Sequence, residues 1–183
     1  MTPLKMLDVG DDPYERGLIH GRTLAGEVLE NAETYLAMFK SNGMTRDEAL
    51  AEGGRWLPVI QESHPAYAEE MRGIASGADV PENLVGMLNA RYEIAFSLFG
   101  DEARSSGAFR EPEGCTSFGL MPEATADGAT IIGQNWDWLE GVQGRTVILR
   151  ISRSDGPDII SLNEAGIVGG KQGVNSAGIG LVE

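Results

Sequence analysis

Residues 100–114 read GDEARSSGAFREPEG and are followed at 115–121 by CTSFGLM, and the fold turns on this junction. The first segment has no apolar period and is rich in glycine, serine and charge, which is the composition of an exposed, mobile loop. Before it, apolar residues recur at helical spacing. After it, short β-rich runs alternate with turn signals. The chain of 183 residues therefore divides into an α-rich part at 1–114 and a β-rich part at 115–183.

Working back from the junction, Leu18, Gly21, Leu24, Val28, Ala32, Tyr35 and Phe39 step by three or four residues, which predicts one long helix starting at an Asp12-Pro13 cap. A second helix follows Thr45 through Leu50, Trp56, Leu57 and Ile60. A third carries Tyr67, Met71, Ile74 and Ala78, and a fourth starts at Pro81 and runs through Leu84, Leu88, Ile94 and Phe99. A short strand at 4–9 precedes them.

Working forward, the runs TSFGLM (116–121), ATIIGQNW (129–136), RTVILRIS (145–152), DIISLNEA (158–165), IVGGKQGV (167–174) and GIGLV (178–182) read as strands. Turn signals at Asp127-Gly128, Asp155-Gly156 and Ser176 to Gly178 suit hairpins of a mostly antiparallel sheet. The fold class is α+β, with helices on one face of a sheet. The other face then needs cover, and Leu181-Val182-Glu183 reads as strand, so the sheet is expected to be incomplete and to self-associate.

Composition excludes several functions. A net charge of -14 repels a phosphate backbone, so nucleic acid is not an expected partner. No apolar run approaches the roughly 20 residues of a membrane span. The opening MTPLKMLDVGDDPYERG carries charge early and lacks a signal-peptide core, so a cytoplasmic location is expected. One cysteine excludes an internal disulfide and multi-cysteine metal sites, and His20 and His64 are too few for a histidine-rich one. No metal or cofactor is expected.

Chemistry concentrates at the junction. Cys115 follows Gly114, precedes the hydroxyl pair Thr116-Ser117, and lies about twenty residues before the polar block GQNWDW at 133–138. A tight turn between two strands would bring that block back beside the thiol. Asn135 and Asp137 then share one face and Trp136 the other, because strand side chains alternate. A lone cysteine in a β-run is also an ordinary small buried hydrophobe, and Asn135 with Asp137 can equally be an exposed polar face over packed tryptophans.

The GCTSF and GQNWDW blocks occur in order with PYERGLIHG near the start, NARYEIAF at 89–96 and NEAGIVGGKQGVNSAG at 163–178. Together they resemble the acyl-coenzyme A:6-aminopenicillanic acid acyltransferase family, the penicillin acyltransferase group of N-terminal nucleophile (Ntn) hydrolases. The resemblance spans essentially the whole sequence and about the first half of a typical member. It implies an αββα fold that is incomplete here, a pro-segment or α-chain at 1–114, and the start of a catalytic β-chain at 115–183. It also implies self-cleavage at Gly114-Cys115, with Cys115 as the new N-terminal nucleophile. Asp137 matches the aspartate that holds the new amine, and Asn135 belongs to the same motif. Thr116, Trp136 and Trp138 are candidate substrate-lining residues. In the related bile-salt hydrolases an arginine stands where this chain has Gln134, which agrees with the acyltransferase branch. The oxyanion-hole asparagines, a second sheet and the final helices are expected beyond residue 183, so this chain alone is expected to be inactive.

The implied substrate is a small-molecule amide, with an acyl-coenzyme A donor resting on the resemblance alone because no phosphate-binding glycine motif occurs. Two other readings stand beside the acyltransferase or amidohydrolase. One is a non-catalytic half-fold that pairs with another chain. The other is a conventional cysteine hydrolase using His20 or His64, although both histidines read as structural or surface residues.

Overall fold

Asp12 starts the helical layer where the sequence predicts, its side chain accepting the Glu15 backbone N–H at 2.8 Å, and Pro13 takes the first helical position. The computed structural model describes residues 4–106 and 114–182. Helix α1 (Pro13–Thr23) is followed by α2 (Ala25–Ser41), so the single long helix expected here divides at Leu24. Apolar spacing continues across the break and hides it. The cause is partnership: α1 packs chiefly on α4 (Pro65–Ala78), while α2 faces several other elements. Helix α3 (Arg46–Ser63) opens with a capping box in which Thr45 and Glu48 each bond the other's backbone. The α4 helix ends at Asp79, which takes the left-handed conformation.

The fourth expected helix also divides, into α5 (Glu82–Asn89) and α6 (Arg91–Ser106), around the buried Ala90. At the break the Arg91 guanidinium turns inward and donates to the Leu88 carbonyl at 3.2 Å. Six α-helices thus stand among the described residues where four were expected. Because α6 runs to Ser106, the segment at 100–114 begins as helix rather than loop; residues 107–113 lie outside the described residues.

Glycine makes the α1–α4 crossing possible. A Cβ at Gly17 or Gly21 would run into the backbone of Glu70 or Ile74, and one at Gly73 or Gly77 into that of Tyr14 or Leu18. The two backbones meet where side chains would otherwise hold helices roughly 8–10 Å apart.

The β-rich part forms a hairpin, β2 (Thr116–Leu120) with β3 (Ile131–Asn135), and joins one N-terminal strand in a five-stranded sheet. That sheet contains β1 (Lys5–Val9), β4 (Thr146–Ile151), β5 (Ile159–Glu164), β6 (Gln172–Asn175) and β7 (Gly180–Leu181), in the order β1-β4-β5-β6-β7. Among the described residues only the β1–β4 pairing is parallel. Strand β6 starts later than the IVGGKQGV run suggests, because Gly166 and Gly169 have φ of 86° and 80° and shape a turn instead. The architecture is α+β.

Register assigns the two faces. Val147 and Leu149 are buried against the helices, opposite Asn163 and Ser161. The other face carries Met6, Ile148, Ile160, Leu162 and Val174, of which Met6, Ile160 and Val174 are 52%, 43% and 48% exposed. The β2–β3 hairpin leans over this face across a cleft of about 470 Å³, with Ile132 against Gly180. A second β layer therefore begins inside this chain, whereas the sequence reading expected it only beyond residue 183. No helix among the described residues is long and apolar enough to cross a membrane.

Candidate active site

The antiparallel register of the hairpin pairs Thr116 with Asn135 and Ser117 with Gln134. Cys115 immediately precedes the first pair and Asp137 follows it by two residues, so the Gly133–Asn135 part of the GQNWDW block pairs with the strand that Cys115 leads into. The connection is longer than a tight turn. A short 3-10 turn, Pro122–Ala124, leads to Asp127-Gly128, where Gly128 has φ of 72° and the Asp127 carboxylate accepts the Ala129 N–H at 3.1 Å. Cys115 is exposed. Gly114 is exposed as well, and a Cβ built on it would meet nothing within 4 Å, so space alone does not demand glycine at this position.

Exposure alternates along residues 135–138. Asn135 and Asp137 are exposed, while Trp136 and Trp138 are half-buried and packed against the core. Strand β3 ends at Asn135, so Asp137 stands just past the last paired residue. Of the two arrangements weighed from the sequence, the observed one is the exposed polar face over packed tryptophans. A cavity of about 680 Å³ opens beside Trp136, Asp137 and Trp138, lined further by Leu139, Val142 and Thr146.

Beneath the tryptophans lies a buried polar cluster. Trp138 donates its indole N–H to the Tyr35 phenol oxygen at 2.8 Å, and Tyr35 donates to Glu164 Oε2 at 2.7 Å. Glu164 Oε1 pairs with Arg91 at 3.2 Å and with Lys171 at 3.4 Å. The Lys171 ammonium also donates to the Tyr92 hydroxyl at 3.1 Å and sits 5.3 Å from the centre of the Trp136 ring. Asn31 adds a longer contact to Glu164 at 3.4 Å. Glu164 is fully buried, and Arg91 and Lys171 are 5% and 4% exposed. Burial, reinforced by the Glu164 charge, pushes the Tyr35 hydroxyl far above its usual range and keeps it protonated as a donor.

Arg91 and Tyr92 lie within NARYEIAF and Glu164 and Lys171 within NEAGIVGGKQG, but the sequence pattern assigns none of the four a role and marks Tyr35 only as core. A signal was present, since a charge inside an otherwise apolar strand or helix face must find a partner when it folds inward. Arg91 and Glu164 are such charges.

Neither histidine joins Cys115. His20 is fully buried on α1, and its Nε2 accepts the Gly166 backbone N–H at 3.0 Å. Burial lowers its pKa to about 4. His64 is exposed at the junction of α3 and α4, with its ring 5.4 Å from that of Tyr67. No group of His, Cys, Asp and Glu side chains among the described residues could hold a metal ion.

Comparison with known proteins matches the sequence resemblance. The chain is 33% identical over 170 residues to the acyl-coenzyme A:6-aminopenicillanic-acid-acyltransferase 40 kDa form of Emericella nidulans, an alignment covering 92% of this chain and 43% of that protein. It is 27% identical over 190 residues to an uncharacterized protein of Archaeoglobus fulgidus, covering 96% of this chain and 32% of the relative. The chain thus spans less than half the length of these curated relatives. No family model matches it.

Proposed function

We propose that this sequence is part of a self-processing acyltransferase or amide hydrolase of the Ntn type, with an αββα fold and Cys115 as its nucleophile. The observation that supports the reading is the hairpin register, which pairs Asn135 with Thr116, the residue next to the one that would become the new N-terminus, and leaves Asp137 two residues further along. Similarity to a named acyltransferase supports the reaction class.

In the processing step the Cys115 thiol attacks the Gly114 carbonyl carbon, the peptide C–N bond breaks, and the thiol proton ends on the departing amine. Water then opens the Gly114 thioester, leaving a Gly114 carboxylate and a free Cys115 thiol and α-amine. In turnover that α-amine, with an ordinary pKa of about 8, takes the thiol proton. The thiolate attacks the acyl carbonyl of a small-molecule amide or acyl-coenzyme A donor, the leaving group departs with the proton, and water or an amine resolves the Cys115 thioester. Asp137 orients the amine, and Trp136, Trp138 and Thr116 line the acyl group's approach.

Cys115→Ala in the full-length protein is expected to abolish both self-cleavage and turnover, because one sulfur serves both steps. Normal turnover by this variant overturns the assignment.

A second reading, a non-catalytic half-fold that pairs with another chain, is favoured by the exposed Met6, Ile160 and Val174 on the outer sheet face. It predicts self-association that strengthens with salt as the net charge of -14 is screened. Light scattering of the 183-residue chain across a salt series tests it, and a monomer at high salt contradicts it.

A further inference from the structure

Both tryptophans that flank Asp137 are anchored, through one intermediary each, to the same buried carboxylate. Trp138 reaches Glu164 by way of Tyr35, at 2.8 Å and 2.7 Å. Trp136 reaches it by way of Lys171, whose ammonium is 5.3 Å from the ring centre and 3.4 Å from Glu164. Tyr92 braces the same pair, edge-on to Trp138 at 5.4 Å and bonded to Lys171 at 3.1 Å. Exposure alternates along 135–138, with Trp136 and Trp138 packed against the core and Asp137 exposed between them, so fixing the two tryptophans fixes the backbone that presents Asp137 outward. Asp137 lies beyond the last paired residue of β3, so the ladder does not hold it.

We infer that Glu164 is the positioning residue for Asp137, acting through Tyr35 on Trp138 and through Lys171 on Trp136. This rests on the proposal that Asp137 serves the Cys115 amine. The arrangement suits that task for three reasons. Tyr35 comes from α2, Arg91 and Tyr92 from α6, and Glu164 from β5, so the anchor is tied to helices and sheet alike rather than to the hairpin. Glu164 accepts from Tyr35, Arg91, Lys171 and Asn31, which leaves it little freedom to move. Two cations around one carboxylate mean that Lys171 can be removed while the Arg91–Glu164 pair survives, so the link to Trp136 is separable from the buried pair itself.

The test uses the full-length protein with Tyr35→Phe and Lys171→Met, each alone and combined with Asp137→Asn, and Cys115→Ala alongside. Two readouts are substrate-free: the rate of cleavage at Gly114-Cys115 by mass spectrometry, and the pH midpoint of Cys115 alkylation by iodoacetamide in the cleaved protein. Each single variant is expected to slow cleavage by about tenfold or more and to move the alkylation midpoint in the same direction as Asp137→Asn. Adding either to Asp137→Asn is expected to change nothing further, because both act through one carboxylate. Additive losses in the double variants, or an unmoved alkylation midpoint, overturn the positioning role while leaving Cys115 as nucleophile. Wild-type cleavage by Cys115→Ala removes the underlying reading and this inference with it. The two variants enter from different sides of Glu164, so if one fails to fold the other decides.

Discussion

Trp138 donates its indole N–H to the phenol oxygen of Tyr35 at 2.8 Å, joining positions 103 residues apart in sequence. Through this bond the candidate site is held by the α-rich part of the chain, although Cys115, Asn135 and Asp137 all belong to the β-rich part. A change in α2 or α6 can therefore alter the site without touching it.

The carboxylate behind that bond is expected to be stability-critical. Glu164→Gln leaves Arg91 and Lys171 buried with no anionic partner in the cluster, which typically costs about 3–5 kcal/mol when one member of a buried ion pair is removed. Urea unfolding at neutral pH measures it. A loss below about 1 kcal/mol would place the cluster among ion pairs of little net worth.

Glycines inside and outside the α1–α4 crossing respond differently to substitution. Gly17→Ala forces a Cβ into the Glu70 carbonyl and is expected to destabilise by about 2 kcal/mol, as overpacking does. Gly26→Ala, on the exposed side of α2 with nothing within 4 Å, is expected to be neutral or to stabilise by about 0.5 kcal/mol. Equal effects from the two would show that the α1–α4 contact is looser than described.

His20 predicts an acid-sensitive fold. Its pKa is lowered to about 4 in the native state by burial. The unfolded chain titrates near 6.5. Between these values the unfolded state binds the proton and the native state does not, so stability falls as pH drops from about 6.5 toward about 4, by about 2 to 3 kcal/mol in all. His20→Gln keeps an acceptor for the Gly166 N–H without titrating. Unfolding compared at pH 7 and pH 4.5 should show a smaller loss for the variant, and equal losses would remove His20 as the cause.

Asp137→Asn keeps the side chain's size and removes its charge. In the full-length protein it is expected to lower activity well beyond any change in melting temperature, because Asp137 is exposed and supports no core contact of its own. An unchanged rate with wild-type melting returns Asp137 to an ordinary surface residue.

Local signals are legible in the sequence. Asp12-Pro13 caps the helix that the sequence starts there, and the second helix follows Thr45, because helix starts depend on residues within one turn. The pairing of the Thr116 and Asn135 strands followed from the return of a polar block after a glycine turn. The breaks at Leu24 and Ala90 were hidden because both residues are apolar and buried and keep the helical period intact. The Tyr35, Arg91, Glu164 and Lys171 cluster was hidden for another reason. Its members lie 56 to 129 residues apart along several of its bonds, and no local pattern announces a partner at that distance. Only the oddity of Arg91 and Glu164 in apolar surroundings hinted at it.

The central claim is that Cys115 acts as a new N-terminal residue, and the most direct measurement is the intact mass and N-terminal sequence of the purified full-length protein, taken alongside its activity. The expected result is two pieces meeting at Gly114 and Cys115, with turnover appearing in proportion to the piece that begins at Cys115. A single chain with the Gly114-Cys115 bond intact and full turnover would contradict it.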